Sequence, residues 1–447
     1  MGGDAGLQLG SLAGKLALPG LLLGAAGLAA AWFLGYQQGD KGIFFHLYLV
    51  SFMFYLSITL GALFFVILHH LARAGWSVTV RRLAEGIAGN VWLMVFLFLP
   101  LLAGLGYLYA WVNPEVANPK NLEMFDKVIA GKARMLNVNA FFSWMGACFI
   151  LWLAIMYYFR SRSLRQDESG DVKLSIRMQA VAAPAMIVFA ATLTIAALYL
   201  LMSLNAHWFS TMWGVYIFAG SVVSSLVVIT LLARWLQHEG RITHAINTEH
   251  YHDLGKLTFA FVFFWGYIAF SQYMLIWYAN MPEETQFFMP RQIGPWVGVS
   301  LVLVFCHLLI PFAGLMSRNA KRRAAVFAFW GVWMLLAHLL DLFWIVMPHT
   351  FANKVPGIVG DSHMLLPEAM QRLVVSNQDV YEMKDQYASF MDAVKLPLQP
   401  MTLAVLACLV LGMGGLYVAS TALLLKGKAL VPLKDPRLPE ALAFENM

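Results

Sequence analysis

A histidine and an aspartate lie three positions apart within the apolar stretch WGVWMLLAHLLDLFWIVMPH, as His338 and Asp341. On a helix this spacing places both side chains on one face. Ionisable residues deep in an apolar helix are costly, and both groups can take up and release protons. The pair therefore predicts the proton transfer that a relay or quinol oxidation requires. The alternative is a static buried pair, in which a neutral histidine is hydrogen-bonded to the carboxylate.

A second set of polar residues lies in the apolar stretch that follows HYHDLGK. A rotation of about 100° per residue brings five side chains onto one helix face. They are Lys256, Tyr267, Ser271, Met274 and Tyr278, whereas Gln272 points elsewhere. A hydrogen-bonding group exposed to lipid costs several kcal/mol, so this face is expected to be buried against protein or water. The alternative to a proton pathway is hydrogen bonding that only joins helices.

Other histidines extend the set of candidates. His307 lies inside a further apolar segment, and His46 shares a helix face with Ser57. A group of titratable residues clusters near the segment ends: His69, His70, His244, His250, His252 and Asp253, with Glu85 and Glu249 close by in sequence. Such a cluster is either solvated surface or the proton-collecting entrance of a half-channel.

Two histidines could hold a haem only at equal depth on facing helices. His307 lies about nine residues and His338 about fourteen residues from the inner end of its helix, which predicts a mismatch of roughly 7 to 8 Å. We therefore expect no haem. Cys148, Cys306 and Cys408 form no C-x-x-C pair, which argues against an iron–sulfur cluster, so they are predicted to be packing residues.

The elements that must position these side chains are membrane-spanning helices. Of the 447 residues, 60% are hydrophobic and only 12% are charged, and the mean hydropathy of +0.68 lies outside the range of soluble domains. A crossing helix needs about 20 mostly apolar residues, which also excludes a transmembrane barrel of short strands. Ten segments qualify, near 14–36, 44–70, 87–111, 137–160, 178–203, 211–236, 256–280, 295–316, 323–347 and 399–425.

The basic residues predict the orientation of these helices. A cytoplasmic N-terminus puts most of the 30 lysines and arginines on the cytoplasmic side, so both termini are predicted to be cytoplasmic. The first segment is interpreted as a retained helix rather than a signal peptide. The net charge of +6 is then explained by basic residues in the cytoplasmic loops and does not indicate affinity for nucleic acid. The long outer loop is polar and acidic, as suits docking of another protein.

A weak internal repeat organises the helices. WVNPE at Trp111–Glu115 matches WYANMPE at Trp277–Glu283, and Arg134 and Cys148 match Arg291 and Cys306 in the same order. The prediction is an all-α polytopic membrane protein with two tandem four-helix bundles, helices 2–5 and 6–9, and peripheral helices 1 and 10. The predicted parts are helix 1 (1–43), the first bundle (44–205), the second bundle (206–347), a periplasmic loop (348–398), and helix 10 with a cytoplasmic tail (399–447).

DLGKLTFAFVFFWGYIAFSQYMLIWYANMPEE, at Asp253–Glu284, and HLLDLFWIVMP, at His338–Pro348, resemble the NrfD/polysulfide reductase membrane-subunit family. More narrowly, they resemble the F-type membrane subunit of bacterial alternative complex III, a quinol:cytochrome c oxidoreductase. The resemblance implies a subunit of the bacterial inner membrane that ligates no redox centre itself. Its implied partners are a paralogous ten-helix subunit, an iron–sulfur subunit and multihaem cytochrome c subunits, which hold the haems and clusters, together with lipids. Quinone, either menaquinone or ubiquinone, is the implied ligand.

Carried onto the matching segments, polar-path roles fall on Asp253, Lys256, Tyr267, Ser271, Gln272, His338 and Asp341. His46 and His307 rest on the residue argument alone. The fifth segment is the repeat partner of the ninth, but it has no acid or histidine that corresponds to His338 and Asp341. Only one of the two bundles is therefore predicted to hold a titratable centre. The predicted function is a proton pathway and assembly of the complex. Quinone binding in this subunit, a secondary transporter and a purely structural anchor are the alternatives, although the helices lack the paired Gly/Pro interruptions of a transporter.

Overall fold

The structure is a computed structural model that describes residues 4–121, 124–292, 294–352 and 397–445. This part of the chain is helical, and its β-structure is limited to an isolated bridge between Gln8 and Ala429. Ten of its helices are long and apolar enough to cross a membrane. The predicted all-α polytopic fold is confirmed, and the chain is a multi-pass membrane protein. Most of the predicted outer loop, 353–396, lies outside the described residues.

The ten spanning helices follow one another along the chain, with long connections between α3 and α4 and between α9 and α10. They are α1 (Leu12–Gln37), α2 (Lys41–Leu71), α3 (Val78–Ala103), α4 (Val138–Ser169), α5 (Val172–Leu204), α6 (Trp213–His238), α7 (Thr248–Ala279), α8 (Trp296–Met316), α9 (Ala324–Val346) and α10 (Pro400–Leu425).

Short polar side chains set the starts of several of these helices. The Asp40 carboxylate accepts from the Ile43 backbone N–H at the start of α2. At the start of α4, the Asn137 side chain accepts from the Ala140 N–H. These side chains satisfy backbone donors that have no partner inside the helix. The local sequence therefore places the ends of these apolar runs.

The predicted start of the third helix was wrong by nine residues, since α3 begins at Val78 and not near 87. Arg81 and Arg82 suggested a loop, yet both are buried in the first turns of α3. Charged groups can be buried there because Glu85 lies 2.9 Å from the Arg82 guanidinium. Asp167 in α4 pairs with the same guanidinium at 2.9 Å. The ion pairs thus stabilise the arginine charges in place of the water that would solvate them in a loop.

The helices α2 to α5 form one ring of neighbours, and α6 to α9 form another. In the first ring α2 and α4 each contact α3 and α5, and in the second α6 and α8 each contact α7 and α9. The centre of the seam between the rings is α2 packed against α6 and α9, and α6 also contacts α3 and α5. As a result α2 is buried along its whole apolar length. Polar groups on these three helices meet in the interior.

The remaining helices, α1 and α10, pack along each other, and α10 also contacts α2. Their contact is close because glycines face each other: a Cβ on Gly27 would lie 2.7 Å from the Gly412 Cα. The two termini meet at one end of the molecule, where the Leu430 N–H donates to the Leu7 carbonyl at 2.7 Å. We call this the terminal end, and the opposite one the distal end.

Candidate functional site

His338 of α9 lies at the seam where α2, α6 and α9 meet, and it is buried. Its Nε2 is 2.8 Å from the Ser57 hydroxyl of α2. That hydroxyl also donates to the Phe54 carbonyl at 2.8 Å, so its oxygen is left to accept from an Nε2–H of His338. On α6, Gly220 makes room for the ring, because a Cβ there would lie 2.9 Å from it.

Asp341, one helical turn further along α9, accepts a hydrogen bond from the Tyr216 hydroxyl of α6. Both side chains are buried. Tyr216 and Gly220 are four residues apart on α6, so they share the face that meets the His338 and Asp341 face of α9. Tyr216 was not among the predicted site residues. Its only sequence signal was a hydroxyl inside an apolar helix.

His307 of α8 completes the buried cluster from the other side. Its ring centroid lies 6.4 Å from that of His338 and 3.7 Å from that of the Trp265 ring of α7. The residue is buried in a π-helical turn, Val304–Leu309, a distortion that recurs at functional sites. Within the part of the chain that the structure describes, neither ring nitrogen of His307 has a hydrogen-bond partner.

The predicted depth mismatch between His307 and His338 was wrong, since the two rings are close neighbours. The predicted mismatch took the ends of α8 and α9 to lie at one level, whereas a short helix, Arg318–Arg322, lies between them. The argument from depth against a haem therefore fails. Packing still argues against one, because Trp265 covers the His307 ring and the Gly220 backbone lies against His338.

Beside this cluster is a cavity of about 390 Å³ among α6, α7, α8 and α9. Its walls are largely aromatic, with Trp213, Trp265, Phe287, Phe288 and Trp344 among the lining residues. Residues with exposed side chains, Phe270 of α7 and Leu301 of α8, form its rim, so the cavity opens on the membrane-facing surface between these helices. Its size and apolar walls suit the head group of a lipid-soluble ligand.

Few polar side chains line the cavity, and Gln272 is the most informative of them. It is only 8% exposed, and its amide nitrogen and oxygen both lack hydrogen-bond partners among the described residues. Buried amides are normally paired, so this one is available to a ligand. The helical-wheel argument was right to separate Gln272 from the Tyr267 face.

Arg291 is the cation that lines the cavity at its distal side, and it is 1% exposed. Its guanidinium donates to the carbonyl oxygens of Trp344 at 3.0 Å and Ile345 at 2.6 Å, and also to that of Phe287. Burial lowers the pKa of Arg291, and the nearby Tyr216 raises it. In the sequence, Arg291 stands out only as the repeat match of Arg134, and no functional role was predicted for it.

The expected burial of the Tyr267 face of α7 was wrong. Tyr267 is 59% exposed and Tyr278 is 83% exposed, while Ser271 is half-buried. The opposite face, with Trp265 and Gln272, is the one that packs against this chain. Periodicity groups residues on a face but cannot say which face meets α6 and α8. Only lipid or another molecule could cover Tyr267, so it does not join the His338 cluster.

Asp253 and Lys256 lie at the terminal end of α7, as an ion pair with 2.5 Å between Asp253 Oδ1 and Lys256 Nζ. They are separate from the buried cluster. His46 lies at the distal end of α2, where it is buried and its Nδ1 is 2.7 Å from the Gly42 carbonyl. The predicted candidates thus fall at three levels, and the structure brings only His307, His338 and Asp341 together.

Most of the clustered histidines at the terminal end are not solvated surface, contrary to one of the two interpretations, whereas His244 is exposed. His69, His70 and His250 are buried. The C-terminal segment covers this region: Phe444 lies 5.6 Å from the His250 ring, measured between ring centroids. Asp435 of the same segment is buried in an ion pair with Arg81.

No protein-family model matches the chain. No curated protein matches it either.

Proposed function

We propose that this protein is a membrane subunit of a quinol:electron-acceptor oxidoreductase of the alternative complex III type, and that it carries protons through its second bundle. The observation that supports this is a buried row of titratable side chains where α2, α6, α8 and α9 meet. The row consists of Tyr216, Asp341, His338 and His307. Ionisable groups are rare inside membranes, and they usually serve ion or proton movement.

The row offers alternating donors and acceptors, as proton transfer requires. Tyr216 donates to Asp341, and Ser57 accepts from His338. The His338 Nδ1 and both His307 nitrogens are without partners among the described residues, so one water between the two rings would join them. A proton taken up on one nitrogen of a histidine can be released from the other. The row can therefore pass protons without a large movement of helices.

The orientation follows from the charges at the two ends. We assign the terminal end to the cytoplasm, because most of the lysines and arginines lie in its connections. The distal end then faces the periplasm of a bacterial inner membrane. In this proposal the haems and iron–sulfur clusters belong to partner subunits, and those subunits include a paralogous ten-helix protein.

A second function, quinone binding by this subunit, is favoured by the cavity. A quinol head group is planar and carries two hydroxyls, which matches aromatic walls with the Gln272 amide and the Tyr216 oxygen, since that oxygen can accept from a quinol hydroxyl while its own hydrogen is donated to Asp341. The opening between α7 and α8 would admit an isoprenoid tail from the lipid. In this variant the proton released from a quinol would reach Asp341 through Tyr216, since the two side chains are hydrogen-bonded.

The experiment uses the protein in the membrane assembly with which it purifies, reconstituted into sealed vesicles. We expect Asp341→Asn and His338→Ala to keep assembly and to lower proton translocation per electron by about tenfold or more, the cost of a missing proton-transfer group. Glu168→Gln and His238→Ala are matched controls, because both residues are exposed at the terminal end.

Unchanged proton translocation in both variants would eliminate the relay and favour a structural anchor. Purification as a homo-oligomer without haem or iron–sulfur subunits would instead favour a secondary transporter. Co-purification with those subunits is the expected result.

A further inference from the structure

Arg291 is a fully buried cation that no carboxylate of the described residues neutralises. It lies in the turn Met289–Arg291, just before α8, and its guanidinium reaches the carbonyls at the end of α9. The carbonyl end of a helix carries partial negative charge, which stabilises a cation there. The guanidinium also stacks 3.6 Å from the Phe287 ring centroid. The fold therefore uses several contacts to hold one positive charge inside.

The position of this charge divides the titratable groups into two sets. On one side, Arg291 lines the same cavity as Tyr216, which is hydrogen-bonded to Asp341. On the other side, its Nη2 is 3.4 Å from Nε2 of His349, which follows α9. His46 of α2 lies near His349, and both histidines are buried. Tyr216 of α6 and His349 are the titratable groups that face Arg291 within the described residues.

The two sets of titratable groups differ in how readily they take up a proton. Burial lowers the pKa of His349 well below its ordinary value, and the charges of Arg291 and His46 lower it further. His349 is therefore neutral at neutral pH. A proton that passes from Tyr216 towards His349 must come close to the Arg291 guanidinium, where like charge repels it.

We propose that Arg291 is an electrostatic barrier that separates the Asp341–Tyr216 pair from His349, His46 and the distal surface. This inference rests on the proposed proton relay. The barrier would block the return of protons from the distal side while the relay is idle. Arg291 does not itself carry protons, so it is a positioning residue whose charge sets the direction of flow.

The test separates the charge of Arg291 from its contacts with α9. Arg291→Gln removes the charge and keeps one amide donor group, whereas Arg291→Lys keeps the charge and also has one donor group. The purified assembly is reconstituted in sealed vesicles without quinol, a potassium diffusion potential is imposed, and passive proton entry is followed with a pH-sensitive dye. Arg323→Gln is the control, since Arg323 is exposed at the terminal end.

We expect Arg291→Gln to raise the passive proton leak by on the order of 1,000-fold, as loss of a like charge about 4 Å away predicts at an effective dielectric constant of about 20. Arg291→Lys and Arg323→Gln should leak like the wild type. Adding His338→Ala to Arg291→Gln should abolish the extra leak. A wild-type leak in an assembled Arg291→Gln protein would overturn the barrier, and so would an equal leak in both Arg291 variants.

A second variant keeps the inference testable if Arg291→Gln fails to assemble. His349→Asn leaves Arg291 in place, so we expect no added leak but slower proton release to the distal side during turnover. Added leak in this variant would contradict the barrier. Failure of the relay itself is distinguishable, because it appears as intact proton translocation in Asp341→Asn and His338→Ala.

Discussion

The hydroxyl of Tyr216 donates a hydrogen bond to the carboxylate of Asp341 across the contact between α6 and α9, and both side chains are buried. The same two helix faces bring Gly220, four residues from Tyr216, against His338, three residues from Asp341. The contact between α6 and α9 therefore both supports the carboxylate and fixes the ring. Tyr216 and Gly220 are therefore as much a part of the site as His338 and Asp341, which were predicted from the sequence.

Replacing Tyr216 with Phe is expected to remove the hydroxyl that donates to the buried Asp341 carboxylate. The loss should lower the free energy of unfolding by about 1 to 3 kcal/mol and reduce proton translocation, because an unpaired buried polar group keeps its desolvation cost. Thermal unfolding in detergent and vesicle proton assays measure the two effects. Tyr278→Phe, at an exposed position on α7, is the control and should change neither quantity.

A methyl group at Gly220 is expected to displace the His338 ring from Ser57. A Cβ there would lie 2.9 Å from the ring, closer than packed atoms tolerate. Gly220→Ala should therefore cost about 1 to 3 kcal/mol through overpacking and lower proton translocation. Gly298→Ala of α8 is the matched control, since a Cβ there would meet no described atom within 4 Å. Full translocation by an assembled Gly220→Ala protein would show that the Ser57–His338 contact is dispensable.

Gln272→Leu tests whether the cavity binds a ligand with a polar head group. Leucine has a similar volume but no hydrogen-bonding atoms, so loss of one hydrogen bond should weaken quinone-analogue binding by about tenfold. Direct binding of a fluorescent or radiolabelled analogue to the purified assembly is the measurement. Ser271→Ala, one residue earlier on the half-buried side of α7, should bind as the wild type does. Equal binding by both variants would remove Gln272 from the site.

The ion pairs at the terminal end are expected to stabilise the fold rather than to carry protons. Arg82 is buried between Glu85 and Asp167, so Arg82→Gln removes the cation from Asp167 and leaves Glu85 with Arg81 at 3.8 Å. The expected loss is about 3 to 5 kcal/mol, as for other broken buried pairs. The exposed pair of Arg437 and Glu440 provides the contrast, and Arg437→Gln should cost about 1 kcal/mol or less. Urea or thermal unfolding in detergent compares the two variants.

The sequence by itself determined the ten helices and the pairing of His338 with Asp341 on one face. Apolar runs of about 20 residues have few other stable structures in a membrane, and a spacing of three on a helix leaves little freedom. The short polar caps, such as Asp40 and Asn137, are equally local. These features need no knowledge of the neighbouring helices.

Only the tertiary structure decided which faces meet. In a membrane the lipid-facing and protein-facing sides of a helix are similarly apolar, so hydrophobic periodicity does not distinguish them. For this reason the periodicity predicted burial of the Tyr267 face of α7, whereas the buried face is the one that carries Gln272. Tyr216 and Arg291 contact residues of α9 that are far away in sequence, and His307, in a π-helical turn of α8, lies beside His338. Such contacts depend on how whole helices pack, which spacing along one helix cannot specify.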